Sequence, residues 1–394
     1  MKKPRILMLA DITGLGPNYH VGDEAMAEVS IQRLSKLVGR DNLILGCSSP
    51  ENMSATYNIR SFAFYHTTNK QFYKLLYKRP LSFFKAILSY IYQVTRCDTV
   101  LVCGGGNMTS VWPEILESRL RLLSLANLFG KDIYFVSQTI GPFNEKHREK
   151  VNTTYRKAKW IGVRDKNFSH TQIKHEVHFA LDDACFIEKQ HSDYSLEISR
   201  ANAEHVCISM RKFGQMTDTD VNTVATAINK VISKDQYNTV FIPHHAPHGI
   251  EGDIRLANSI SPIWDEDKFH IVNPIPLASA LKALTSDSQY VISMRYHQLI
   301  FALSIGIPCV GIYADEYTKA KLTGSFEAIG LEPLVTSVWD VDQTLDNLVQ
   351  EAKERRQEFI TAARKAQETM ATDSMKPYKL MAKHEDLTAQ VRSA

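Results

Sequence analysis

The chain has 394 residues, 44% of them hydrophobic and 23% charged, with a formal net charge of +3. That length is enough for two domains with their own cores, and the composition is that of an ordinary globular protein. The small net charge gives no ground for a nucleic-acid partner. The six cysteines, at 47, 97, 103, 185, 207 and 309, form no CxxC pair and mostly sit in apolar runs. They read as buried thiols of a reducing compartment, not as a disulfide or zinc framework, so no metal site is expected.

From the N-terminus, "MKKPRILMLADITG" places two lysines before a short apolar run that leads straight into a Gly-rich loop. The run is only about six residues, below the roughly 7–15 of a signal-peptide core, so it reads as a first β-strand. No stretch reaches the roughly 18 apolar residues of a membrane span, and a cytoplasmic protein is expected. The loop that follows, "GLGPNYHVGDEAM", carries Gly14, Gly16 and Gly22, which allow a tight turn and close backbone approach to a ligand. Asp23 and Glu24 then open a helix, where acids cap free N–H groups and suit the dipole. Capping alone explains them; the functional alternative makes Asn18, Gly22, Asp23 and Glu24 a pocket wall for a sugar or phosphate. Gly14-Leu15-Gly16 is followed by Tyr19, so no dinucleotide fingerprint is present. The next run, "AMAEVSIQRLSKLVG", has helical apolar spacing at Met26, Val29, Leu34, Leu37 and Val38.

From 52 to 97 there is no Asp or Glu, but Arg60, Lys70, Lys74, Lys78, Arg79, Lys85 and Arg96 are interleaved with Tyr and Phe. "KQFYKLLYKRPLSFFKAILSYIYQ" reads as two helices broken at Pro80. Cations and aromatics together suit an anionic lipid surface, so peripheral membrane contact through 60–96 is one expectation; solvated amphipathic helices are the other.

Strand-length apolar runs then recur with helical segments between them: "TVLVCGGG", "DIYFVSQ", "KWIGVR", "HVCISMR", "NTVFIPHH", "FHIV", "YVISMR" and "PCVGIY". Two-sided apolar strands alternating with helices predict parallel sheets covered by helices. In such sheets ligands bind beyond the carboxyl ends of the strands. There lie Gly104, Gly105 and Gly106 with Asn107, a glycine run suited to close backbone approach. Gln138 in "SQTIGPF" could bond a sugar hydroxyl or stabilise the turn. Arg164, Arg211 and Arg295 each follow an apolar strand, and guanidinium forks grip carboxylate or phosphate in a planar, bidentate way. His297 starts the helical run "HQLIFALSIG"; a helix N-terminus lowers an imidazole pKa and a bound dianion raises it, a balance suited to proton exchange near neutral pH. "FIPHHAPHG" adds His244, His245 and His248, taken as polar contacts to substrate. The polar stretch 186–203 predicts a boundary, with one α/β domain at 1–190, a second at 200–335, and charged helices at 336–394 packing back.

Together "NYHVGDEAM", "LVCGGGN", "SQTIGPF", "GVRD", "LDDACF", "VFIPHH" and "SMRYHQLIFALSIGIP" resemble, in order, the motifs of the polysaccharide pyruvyl transferase family. The resemblance implies a GT-B-like fold of two facing Rossmann-like domains. It also implies transfer of pyruvate from phosphoenolpyruvate to two hydroxyls of a sugar, lipid-linked or in a polysaccharide, giving a cyclic ketal and phosphate. No cofactor beyond phosphoenolpyruvate as co-substrate is implied. The resemblance carries onto Arg295 and His297 as the Arg-x-His element that handles phosphoenolpyruvate, with His297 as general acid/base, and onto Arg164 as a further anion ligand. Arg211 joins them from the repeated "ISMR" of this chain. Asp182 matches the family acid, Asp183 stands where proline is usual, and Tyr296 stands where leucine is common. A nucleotide-sugar-dependent glycosyltransferase of the same architecture is the alternative.

Overall fold

The computed structural model describes residues 3–16, 18–64, 66–201, 204–246 and 252–382. The chain forms two compact units. The first takes the chain up to Gly14, then Met26–Asp183, then the chain from Met370; the second takes Leu15–Ala25 and Ala184–Thr369.

In the first unit a parallel sheet runs in the order Arg60–Ala63, Leu43–Cys47, Ile6–Leu9, Thr99–Val102, Asp132–Ile140, Ala158–Val163, His178–Phe179, with Gly105–Met108 also pairing with Asp132–Ile140. The central strands, Ile6–Leu9 and Thr99–Val102, are buried at every position because alternate side chains enter two different cores. Leu7, Leu9, Val100, Val102, Ile133 and Phe135 point to one face. Ile6, Met8, Leu43, Leu45, Leu101, Tyr134 and Val136 point to the other.

The second unit holds a parallel sheet in the order Phe269–Ile271, Asn238–Phe241, His205–Ser209, Val291–Ser293, Cys309–Tyr313, Val335–Ser337. It also holds a two-stranded antiparallel ribbon of Tyr19–His20 with His245–Ala246.

Two departures from the expected domain division have physical causes. Residues 15–25 join the second unit because that ribbon, and a hydrogen bond from Val21 N–H to the His244 carbonyl (3.0 Å), fix them there. The chain from 370 joins the first unit because Tyr378 and Met381 are buried in its core. Asp183, the residue found in place of a proline, serves that packing: its carboxylate accepts from Tyr378 Oη (2.6 Å) and pairs with Arg33 (2.5 Å), while Tyr378 Oη also meets Ser30 Oγ at 2.8 Å. The 186–203 stretch carries a helix, Asp193–Ala201. All six cysteines are free, buried thiols. Among the described residues no helix is long and apolar enough to cross a membrane.

Candidate active site

The repeated "ISMR" is a consequence of sheet register. Strands His205–Ser209 and Val291–Ser293 are parallel neighbours, with Cys207 opposite Val291, Ile208 opposite Ile292 and Ser209 opposite Ser293. Met294 N–H continues the pairing to the Ser209 carbonyl (2.8 Å). Arg211 and Arg295 therefore follow adjacent strands at the same step, each two residues past a paired serine. The repeat is two neighbouring strands delivering two guanidiniums to one carboxyl edge. Beyond Ser293 the chain turns tightly: Ser293 Oγ accepts from Arg295 N–H (2.8 Å) and donates to its carbonyl (2.9 Å). Arg295 is the N-cap of helix Tyr296–Ile305, which ends on the left-handed Gly306. This places His297 in the first turn of that helix, buried.

The Gly-rich loop of the N-terminus supplies the facing wall. The Tyr19–His20 ribbon lays His20 5.5 Å from the His245 ring and 6.3 Å from the His297 ring, centroid to centroid. Tyr19 Oη adds a hydrogen bond to the Pro276 carbonyl (3.4 Å). Gly22 lies flat against His297: a Cβ there would fall inside the imidazole, nearest Nδ1, Cγ and Cε1. Only glycine fits, and the Nδ1 edge of His297 faces the Gly22 backbone, so the Nε2 edge is directed away from it. Asp23 stands 3.5 Å from His20 Nδ1, Glu24 is buried, and Asn18 is exposed with a left-handed backbone (φ 67°). Gly22, Asp23, His244, His245, Arg211, Arg295 and His297 thus belong to one unit and one neighbourhood.

This neighbourhood sets two buried guanidiniums beside shared carboxylates. Asp253, buried at the start of helix Asp253–Ile260, pairs with Arg295 and accepts from the backbone N–H of His244 (2.9 Å) and His245 (3.2 Å). Asp253 is thus shared between Arg295 and two backbone donors, and it acts together with Asp315 on Arg211. Arg211 is pushed down to about 10, first by burial and then by the charge of Arg295. His20 is held well below the ordinary imidazole range by burial, Arg295, His245, His244 and Arg211 in that order. The Nε groups of both Arg211 and Arg295 are buried without a hydrogen-bond partner among the described residues. Buried donors without acceptors are costly unless a ligand completes them.

A hydrogen-bond chain fixes the tautomer of His244. Thr285 Oγ1 donates to the Leu281 carbonyl (2.8 Å), so it must accept from Gln298 Nε2 (3.0 Å). Gln298 Oε1 then faces His244 Nε2 at 2.9 Å, which must carry the proton. His244 is held down to about 4, chiefly by burial, and stays neutral.

The sequence reading missed His20, Asp253 and Gln298. His20 lay within a quoted motif but had no partner until the ribbon formed. Asp253 reads in sequence as an ordinary helix-starting acid. His248 lies outside the described residues.

In the first unit several suggested ligand contacts turn inward. Arg164, expected on the donor, has a side chain only 1% exposed; it donates to Asp182 (2.6 Å) and to Thr139 Oγ1 (2.9 Å). A buried guanidinium requires such a partner, and Arg164 and Asp182 form an internal ion pair. Gln138 is fully enclosed, its amide donating to the carbonyls of Cys103 (2.7 Å) and Val136 (2.8 Å), which suits strand cohesion and not a sugar hydroxyl. Gly104 is required by packing: a Cβ would come within 2.5 Å of Met26 Sδ and 2.9 Å of Ser137 Cβ. Gly105 and Gly106 open a short strand, Gly105–Met108, beside Gln138–Ile140. Asn107 differs, since it is only partly buried; it donates to Asp11 (3.2 Å), and Asp11 also meets His66 Nε2 at 3.1 Å.

A family model for polysaccharide pyruvyl transferase matches residues 20–316. No curated protein matches the sequence. Among solved structures, Anabaena HepE in complex with UDP-glucose is 12% identical, with 96% of this chain and 98% of that chain covered and a TM-score of 0.59. The S. aureus MnaA–UDP co-structure is 14% identical over 91% of each chain (TM-score 0.58). The Methanocaldococcus jannaschii UDP-GlcNAc 2-epimerase bound to UDP-GlcNAc and UDP is 12% identical over 88% of this chain and 92% of that one (TM-score 0.55). At such identities the likeness establishes fold alone: two parallel-sheet, Rossmann-like domains of the GT-B type.

Proposed function

Because the chain belongs to the polysaccharide pyruvyl transferase family, we propose that its second unit binds phosphoenolpyruvate and that the protein forms a pyruvate ketal on two hydroxyls of a sugar. The observation that carries this reading is the in-register pair Arg211 and Arg295 beside His297, each with a buried and unsatisfied Nε–H. Phosphoenolpyruvate bears a phosphate and a carboxylate on one carbon framework, and two guanidinium forks on adjacent strands match two anionic groups so spaced. Asp253 holds Arg295 in place and offsets part of its charge before the donor arrives. Neutral His20 and His244 contribute shape and hydrogen bonding without adding charge that would trap product phosphate.

The reaction needs a proton delivered to the methylene carbon of the donor and protons removed from both acceptor hydroxyls. The first hydroxyl adds to C2 as C3 becomes a methyl group. The C2–O bond to phosphate then breaks, phosphate leaves with one hydroxyl proton, and the second hydroxyl closes the ketal at C2. His297, with one ring edge locked against Gly22, is the group that moves these protons through Nε2. The bound carboxylate steadies the oxocarbenium character at C2, and the arginines hold the departing phosphate.

The test is phosphate release from phosphoenolpyruvate in a panel of sugar acceptors, with products read by mass for an added pyruvate ketal. His297→Ala should lower turnover about 10²–10⁴-fold with the fold retained. Thermal stabilisation by a UDP-sugar but not by phosphoenolpyruvate would overturn the reading in favour of a nucleotide-sugar glycosyltransferase, and near-normal turnover of His297→Ala would reject His297 as the proton-transfer group.

A further inference from the structure

The first unit carries a surface that its fold does not require. Helix Pro80–Arg96 has two apolar faces. Phe83, Tyr90 and Val94 form the inner one; Phe83 packs on Phe72 (4.9 Å between rings) and Tyr90 on Phe64 (5.5 Å). The outer face presents Leu81, Phe84, Leu88 and Tyr92, which are 77%, 54%, 63% and 53% exposed. Their spacing of three, four and four residues keeps them on one stripe of a helix about 25 Å long. The preceding helix, Asn69–Lys78, adds Tyr73 and Tyr77 one turn apart, both exposed. Half of the large hydrophobic side chains exposed among the described residues lie on these two helices. A contiguous apolar face of this kind marks an interaction surface.

Its charge identifies the partner. From 52 to 97 the chain holds seven Lys or Arg and no Asp or Glu. At the C-terminal end of the stripe, a cavity of about 150 Å³ is lined by Arg5, Arg60 and Arg96 together with Tyr92, and no carboxylate lines it. Arg96 stands over the Tyr92 ring (5.1 Å) and donates to its hydroxyl (3.0 Å), which links the cavity to the apolar stripe. The cavity lies at the residues that begin strands Ile6–Leu9, Leu43–Cys47 and Arg60–Ala63, the sheet edge opposite the one that carries Asp11 and Asn107. Three arginines around a cavity of this size suit a single phosphate group. A second copy of this chain is a poor occupant, because a two-fold contact would set the same cluster of cations against itself.

We propose that this face seats the protein on an anionic phospholipid bilayer, with the Leu81–Phe84–Leu88–Tyr92 stripe entering the headgroup–acyl boundary and a lipid phosphate held by Arg5, Arg60 and Arg96. Aromatic and leucine side chains supply the interfacial insertion, and the surrounding lysines supply attraction to the negative surface. The inference is independent of the reaction proposed above.

Flotation with vesicles of phosphatidylcholine alone, and of phosphatidylcholine mixed with phosphatidylglycerol, tests it on the full chain. The protein should float only with the phosphatidylglycerol vesicles, and less at high salt. Phe84→Glu with Leu88→Glu should abolish flotation, and Arg60→Ala or Arg96→Ala should each lower the partition coefficient about fivefold. The melting temperature of each variant, all at exposed positions, reports whether the fold is kept. Failure of the wild-type chain to float with phosphatidylglycerol, or folded variants that float as well as wild type, would overturn the proposal. So would a vesicle-free dimer that Phe84→Glu with Leu88→Glu converts to monomer, since the face would then belong to a second copy.

Discussion

Replacing Gly22 by alanine tests how the N-terminal loop positions the imidazole. A methyl group at this position would occupy the space of His297 Nδ1, Cγ and Cε1. Non-bonded carbons rest about 3.5–4.0 Å apart, so the ring or the loop must shift by on the order of 2 Å. The loop is held by the His20–His245 pairing and by Val21 N–H on the His244 carbonyl, and so resists moving. The ring is the more mobile partner. A displacement of about 1 Å in a reacting group can cost roughly 10²-fold, and full loss of a general acid/base about 10²–10⁴-fold. Gly22→Ala is therefore expected to lower kcat at least about 10²-fold, approaching the His297→Ala variant, with a smaller change in the phosphoenolpyruvate KM. The assay is phosphate release under saturating donor, alongside thermal melting. The double variant sharpens it: once His297 is alanine the added methyl has room, so Gly22→Ala in that background should cost little activity and little stability. Full additivity of the two losses, or wild-type kcat in Gly22→Ala, would refute the claim that this loop sets the imidazole.

Arg211→Ala should raise the phosphoenolpyruvate KM about ten- to hundredfold, the loss of a charge-assisted hydrogen bond, while leaving kcat less affected; an unchanged KM would remove Arg211 from the clamp. Stability should fall as pH drops through the window set by His244, whose pKa lies at about 4 in the folded protein against an ordinary 6.5. Above pH 6.5 neither state holds the extra proton and His244 contributes nothing to the slope. Between 6.5 and 4 only the unfolded chain binds it, so unfolding is favoured by up to about 3 kcal/mol. Chemical denaturation at neutral pH and near pH 4.5 checks this, and His244→Gln should flatten that part of the profile; an unaltered profile would show that other groups set it.

The parallel sheets were legible because their central strands are buried on both faces, which leaves a continuous apolar run between helices. The candidate site was half legible. Arg211, Arg295 and His297 could be read because strand ends in parallel sheets are fixed in space by the strand itself, and a repeated "ISMR" becomes a pair of neighbours once the register aligns Ser209 with Ser293. His20 could not, since its position depends on a ribbon only two residues long in each strand, too short to leave a period in the sequence.

Arg164 shows the limit most clearly. In sequence it is indistinguishable from Arg211 and Arg295, a single arginine closing an apolar run. Its fate is decided by Asp182, which the fold brings to 2.6 Å and which turns the guanidinium into the buried core. Arg295 meets a carboxylate too, but Asp253 is itself shared with two backbone N–H groups, and Arg211 stands beside it with a buried Nε–H that no described residue accepts. Whether a strand-end arginine meets a dedicated acid or stands beside a second arginine is decided by the fold. That depends on which strands are neighbours, a property of topology and not of any local motif.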